Sequence, residues 1–114
     1  MNDPLLKQIA QAVADQPEKL NMSSWCGTAC CIAGWAVILA GEQGELDRLR
    51  KDNPGLVSAR AKVLLGIDTE QASSLFHLCC WPDHLHTSYA YAANKEAQAA
   101  VLRERIDHFI ATGE

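Results

Sequence analysis

The cysteines and histidines of this chain are the residues best suited to chemistry. Five cysteines and four histidines occur in 114 residues, and most of them lie in two short stretches. Residues 26–31 read Cys-x3-Cys-Cys, and residues 77–86 read His-x-Cys-Cys-x3-His-x-His. Zinc prefers thiolate and imidazole ligands, four of them in a tetrahedron. If the two stretches pack together, they could supply such a set, and the candidates are Cys26, Cys30, His77 and Cys80.

The same cysteines are candidates for a reactive thiol. Cys26 comes just before a predicted helix and Cys30 falls near its first turn, where unpaired N–H groups and the helix dipole favour a thiolate. A thiol enzyme also needs a nearby base, for which His84 is a candidate. A third possibility is a redox switch that uses the pair Cys30-Cys31 or the pair Cys79-Cys80.

A purely structural role fits these residues equally well. Free cysteine behaves as a small hydrophobic residue and is among the most buried residue types. The segment 29–40 has no charged or strongly polar side chain, which predicts a core element with Trp35 inside it. Trp81 either covers the core or lines a cleft, and Tyr89 and Tyr91 would then lie at the edge of that cleft as candidate partner-binding residues.

Composition and motifs narrow the class of function. The net charge is −4 and the pI about 5.5, which argues against a nucleic-acid partner. There is no Gly-rich phosphate loop and no hydrolase or metalloprotease motif, so we expect no cofactor apart from the zinc alternative. The apolar run 29–40 is shorter than the roughly 20 residues that span a bilayer. The first residues do not resemble a secretory signal, and an odd number of cysteines cannot all pair, so we expect a reduced, cytoplasmic protein.

The apolar periodicity predicts an all-α fold. We expect one compact domain over residues 1–114, with about five helices packed around a buried central helix at about 28–40. Residues 79–93 are predicted to be irregular, because Pro82 interrupts any helix through them. The predicted helices cover residues 3–16, 28–40, 56–65, 69–78 and 94–112.

Helix caps and buried faces follow from the same pattern. The predicted N-caps are Asp3, Thr28, Asp68 and Asn94. Glycines 41 and 66 are predicted to end the second and third helices. The predicted apolar positions of the third helix are Leu56, Val57, Val63 and Leu64. Those of the last helix are Ala97, Val101, Leu102, Ile106, Phe109 and Ile110.

Three segments of the chain resemble a known group of proteins. They are Cys26-Gly27-Thr28, Cys31-Ile32-Ala33-Gly34-Trp35-Ala36, and Leu64-Leu65-Gly66-Ile67 with the following Glu70, Ala72, Leu75 and Phe76. Together they resemble a group of small uncharacterised proteins from bacteria and their phages. The resemblance implies a self-contained helical domain, and it implies no activity or site residue.

These observations predict a small helical protein of bacterial or phage origin that binds another protein and is not an enzyme. The alternative is a cysteine-based site, either zinc-binding or a reactive thiol, formed by residues 26–31 and 77–86.

Overall fold

Six α-helices form the fold in the part of the chain that the structure describes. The structure is a computed structural model, and it describes residues 1–20, 32–42, 44, 45, 48 and 55–114. No strand occurs among these residues, which confirms the all-α prediction. The helices are α1 (Asp3–Asp15), α2 (Ile32–Leu39), α3 (Gly55–Leu65), α4 (Thr69–Phe76), α5 (Asp83–Ala90) and α6 (Lys95–Thr112).

The buried part of α2 lies among three other helices. Every residue from Ile32 to Val37 is buried, and α2 packs against α1, α3 and α4. This confirms the predicted buried helix for these residues, while its predicted beginning at residues 28–31 lies outside the described chain. The long helix α6 packs along α1 and α5. The radius of gyration, 12.8 Å, is close to the value of about 13 Å expected for one domain of this length.

The helix ends largely follow the local signals in the sequence. Asp68 accepts a hydrogen bond from the Gln71 N–H, and the Gln71 side chain accepts one from the Asp68 N–H, which completes a capping box. Asn94 caps α6 through the Ala97 N–H. Gly66 ends α3 with φ +64°, a backbone conformation that favours glycine.

The prediction for the start of α1 is wrong by one residue. Asn2, not Asp3, is the N-cap, and its side-chain oxygen accepts a hydrogen bond from the Leu5 N–H. The Asn2 main-chain N–H also donates to the Leu65 carbonyl at 2.7 Å, and its side-chain amide donates to the Leu64 carbonyl at 3.2 Å. Asn2 therefore caps α1 and holds it against the end of α3.

The prediction that residues 79–93 are irregular is also wrong. The fourth helix ends at Phe76, a 3₁₀ turn follows at Leu78–Cys80, and α5 begins directly after Pro82. The Pro82 carbonyl accepts hydrogen bonds from the Leu85 and His86 N–H groups, both at 2.9 Å. Proline disrupts a helix that passes through it, but it has no such effect where a helix starts, because the first N–H groups need no intrahelical partner.

A charged side chain occupies the core between α4 and α6. Arg105 is fully buried, with its guanidinium 5.6 Å from the centre of the Phe109 ring. Its Nη2 donates to the Ser74 carbonyl at 3.1 Å, to the Ser74 hydroxyl at 2.8 Å and to the Glu114 main-chain oxygen at 2.7 Å. Burial lowers the pKa of this guanidinium from its ordinary value. The rest of the α6 core face is Ala99, Leu102, Ile106 and Phe109, whereas Ala97, Val101 and Ile110 are only half-buried.

Candidate functional site

Two adjacent thiols are displayed on the 3₁₀ turn between α4 and α5. Cys79 and Cys80 are both exposed, and their Sγ atoms are 3.9 Å apart. The turn is closed by the Cys80 N–H, which donates to the His77 carbonyl at 2.9 Å, and by the Trp81 N–H, which donates to the Leu78 carbonyl at 3.1 Å. Neither thiol is a core residue, so the structural interpretation of cysteine does not apply to this pair.

The turn is anchored by the tryptophan that follows it. Trp81 is 3% exposed, and its indole Nε1 donates to the Leu75 carbonyl at 2.9 Å. Its ring meets the buried Tyr89 ring edge-on, with centroids 5.5 Å apart and planes at 77°. Of the two interpretations of Trp81, the geometry favours the core one. Tyr91 is the aromatic partner-binding candidate that solvent reaches, since it is 86% exposed.

The Cys79 thiol influences the ionisation of Cys80. The hydrogen bond with Cys79 raises the pKa of the Cys80 thiol above its usual value, and partial burial and the neighbouring charge act in the same direction. The thiolate is the nucleophilic form of cysteine. Cys80 is thus exposed yet mostly protonated at neutral pH, which makes it a slow nucleophile.

We expect that Cys79→Ala speeds the alkylation of Cys80 severalfold at neutral pH, because the hydrogen bond that favours the protonated thiol is removed. Tryptic digestion separates this pair from the other cysteines, and fragmentation of the peptide assigns the label to Cys79 or Cys80. No Lys or Arg lies between Lys62 and Lys95, so one peptide carries both thiols of the turn, while the cysteines of residues 26–31 fall in the peptide 20–48. The pH–rate profile of Cys80 should move to lower pH in the variant, and an unchanged profile would contradict the coupling.

The histidines of the second stretch are spread over the surface. His77 follows α4 and is exposed, and His84 and His86 are exposed on α5. Within the described ranges, no group of three or more His, Cys, Asp or Glu side chains is placed to bind a metal ion. Cys26 and Cys30 lie outside the described residues. The four-ligand zinc site with His77 and Cys80, and the thiol site of Cys26, Cys30 and His84, therefore stay predictions.

A second candidate surface is the outer side of α3. Leu56 is 41% exposed and Val63 is 66% exposed, and Ala59 is exposed between them. At 100° per residue these three side chains fall within about 60° of one another, opposite the buried positions Val57 and Ala61. Because α3 has large apolar side chains on both sides, the sequence pattern does not show which side faces the core. It therefore did not predict that Leu56 and Val63 are surface residues.

One ion pair borders this outer side of α3. Arg60 donates two hydrogen bonds to the Glu42 carboxylate, from Nε and from Nη2, both at 2.8 Å. These hydrogen bonds lower the pKa of Glu42 from its usual value of 4.5. The pair joins the segment that follows α2 to α3. It also fixes the position of Arg60 beside the exposed Val63.

This lowered pKa predicts how stability depends on pH. A carboxyl group with a lower pKa in the folded state stabilises the protein above its unfolded-state value and loses that contribution as the pH falls through the folded value. We therefore expect Glu42→Gln to lower the urea midpoint at neutral pH. Between about pH 6 and pH 3 the variant should lose less stability than the wild type does. Glu104→Gln, at an exposed position of α6, is the control. Equal pH dependence in the wild type and Glu42→Gln would contradict the assignment.

No protein-family model, curated protein or solved structure matches this chain. Among the described helices, none has both the length and the apolar character to cross a membrane. The exposed thiol pair and the outer face of α3 are the features on which a functional proposal can be built.

Proposed function

We propose that this protein is a non-catalytic module that binds another protein through the outer face of α3. The observation that supports the proposal most directly is the exposure of Val63, 66%, on the same side of the helix as Leu56 and Ala59. Apolar side chains at positions i, i+3 and i+7 are the anchors with which a helix enters the apolar groove of a partner. The side of α3 that packs in the core consists of Val57, Ala61 and Leu65, so the outer residues are not part of that core.

The surroundings of this face suit a protein partner. Specific interfaces combine an apolar centre with a polar rim. The Arg60–Glu42 pair supplies such a rim, and because its two charges neutralise each other, it adds hydrogen-bonding capacity without a strong field. The net charge of −4 disfavours a nucleic-acid partner, which would require a basic surface.

The biological setting is part of the same proposal. The resemblance of the Cys-Gly-Thr-x-x-Cys-x-Ala-Gly-Trp segment to small bacterial and phage proteins supports a bacterial or phage origin. The odd number of cysteines, which cannot all pair in disulfides, supports a reducing, cytoplasmic location. A partner would then be a soluble protein of the bacterial host or of the phage itself.

The test compares bait variants in a quantitative affinity capture from bacterial lysate. Val63→Glu and Leu56→Glu each place a charge at the centre of the proposed interface, where we expect captured partner to fall by about tenfold or more. Ala100→Glu adds the same charge to the exposed side of α6 and is the matched control. Because Val63 is exposed, Val63→Glu should change the free energy of unfolding by only about 0.5 kcal/mol, so loss of capture would not reflect unfolding.

The pattern of loss decides the proposal. Partners that are lost with Val63→Glu and retained with Ala100→Glu support the α3 face. Partners that survive Val63→Glu but are lost with Tyr91→Ala would place the interface at the exposed tyrosine after α5 and contradict it. Failure to capture any partner, together with turnover of a thiol-directed substrate, would overturn the non-catalytic assignment.

The alternative, a cysteine-based site, is favoured by one observation, the exposed pair Cys79 and Cys80. Its other predicted members, Cys26 and Cys30, lie outside the described residues.

A further inference from the structure

We infer that Cys79 and Cys80 form a surface chelate for a single thiophilic metal ion of the Zn²⁺ class. The inference is independent of the α3 face and concerns a different surface. Its basis is the distance between the two sulfur atoms, 3.9 Å. Two thiolates on one tetrahedral zinc, each about 2.3 Å from the ion, are about 3.8 Å apart. The two thiols are thus already at the spacing that one shared ion requires.

The competing chemistry, a disulfide between the two residues, fits the backbone poorly. Neighbouring Cα atoms across a trans peptide are about 3.8 Å apart. Disulfides normally join Cα atoms about 4.4–6.8 Å apart, and departures from that range store strain and make the bond easier to reduce. A bridging ion keeps the two sulfurs apart and needs no such strain.

The turn that carries the pair is anchored to the core. Trp81 lies in the core directly after Cys80, and its indole hydrogen bond to the Leu75 carbonyl joins the turn to α4. Both thiols are exposed, so an ion reaches them without any opening of the core. Because the backbone of the turn is held in place, ion binding has to order only the two exposed side chains.

The number of ligands defines the kind of site. The described residues bring no third His, Cys, Asp or Glu into a common cluster with this pair. Structural zinc sites use four protein ligands, so a two-thiol chelate leaves coordination positions open to water or to an incoming ligand. On binding, two S–H protons are released and two sulfur–metal bonds form, with no change in oxidation state. The site is therefore an exchangeable surface site and contributes little to folding.

The experiment measures alkylation with N-ethylmaleimide in the presence and absence of stoichiometric Zn²⁺, after the protein has been stripped with a chelator. Tryptic peptides 63–95 and 20–48 report the two groups of cysteines separately. We expect Zn²⁺ to slow the labelling of both Cys79 and Cys80 by about tenfold or more, because a metal-bound thiolate is a poor nucleophile. A chelator should restore the rates.

Single substitutions test whether the two sulfurs act together. In Cys79→Ala the ratio of Cys80 labelling rates with and without Zn²⁺ should fall to within about twofold of one, and Cys80→Ala should do the same for Cys79. The ratio is used because Cys79→Ala also changes the rate without metal. His77→Ala should leave the wild-type protection unchanged.

Three results would overturn the inference. One is protection confined to the peptide 20–48. Another is full protection of Cys80 in Cys79→Ala, which would mean that a single thiol suffices. The third is loss of protection in His77→Ala, which would replace the two-thiol chelate by a site that includes this histidine.

Discussion

Trp81→Ala is expected to lower the free energy of unfolding by about 4 kcal/mol, the largest effect we predict for a single substitution. The indole is 3% exposed, so its removal leaves a cavity and takes away the edge-on contact with Tyr89. It also removes the N–H that donates to the Leu75 carbonyl. Because small domains are stable by only about 5–15 kcal/mol, this loss is a large share of the total. Urea unfolding followed by circular dichroism measures it.

Two further variants separate the parts of this effect. Trp81→Phe keeps an aromatic ring and loses the hydrogen bond, so we expect a loss of about 1–2 kcal/mol. Tyr91→Ala removes an aromatic side chain that is 86% exposed, and it should change stability by no more than about 0.5 kcal/mol. The comparison distinguishes a core tryptophan from one that lines a cleft. A loss below about 1 kcal/mol for Trp81→Ala would contradict the core assignment.

The tryptophan also connects stability to the thiol pair. Cys80 and Trp81 are consecutive, so the indole that packs in the core sets the position of the turn that carries the sulfurs. A cavity at Trp81 would let the turn move, and the distance between the two sulfurs would change with it. Trp81→Ala is therefore unsuitable for testing metal binding, and substitutions of Cys79 and Cys80 themselves are preferable.

Local signals in the sequence predicted the helix ends best. The caps at Asp68 and Asn94 involve residues three positions apart, so their hydrogen bonds depend little on the rest of the fold. The error at Pro82 has a local cause as well. A proline that ends one helix and a proline that precedes another have the same residue type, and only the hydrogen bonds of the following residues distinguish them.

Features that depend on packing between helices could not be predicted in this way. The apolar residues of α3 lie on both sides of the helix, so periodicity alone did not reveal that Val63 faces solvent. The adjacency of Cys79 and Cys80 was evident from the sequence, but their exposure and separation depend on the turn that Trp81 anchors. Arginine is almost never fully buried, so composition gave no indication that Arg105 is a core residue.

Arg105→Ala is expected to lower the free energy of unfolding by about 3 kcal/mol. The guanidinium Nη2 joins three oxygen atoms from two parts of the chain, the Ser74 carbonyl, the Ser74 hydroxyl and the Glu114 main chain. The substitution removes these hydrogen bonds and the packing of a long, fully buried side chain against Phe109. Urea unfolding at neutral pH measures the loss, and the dependence on urea concentration should be unchanged if both states keep their compactness.

Arg105→Met separates packing from charge at the same position. Within the described chain, Nε and Nη1 of Arg105 have no hydrogen-bond partner, and burial lowers the pKa of the guanidinium, so the charge itself is unfavourable there. Methionine keeps much of the apolar stem, and replacing a buried charge with a hydrophobic residue of similar volume is often neutral. The Ser74 hydroxyl still donates to the Glu114 oxygen at 3.1 Å. We therefore expect Arg105→Met to lie within about 1.5 kcal/mol of the wild type, whereas equal losses for Met and Ala would mean that the hydrogen bonds of Nη2 outweigh the cost of burying the charge.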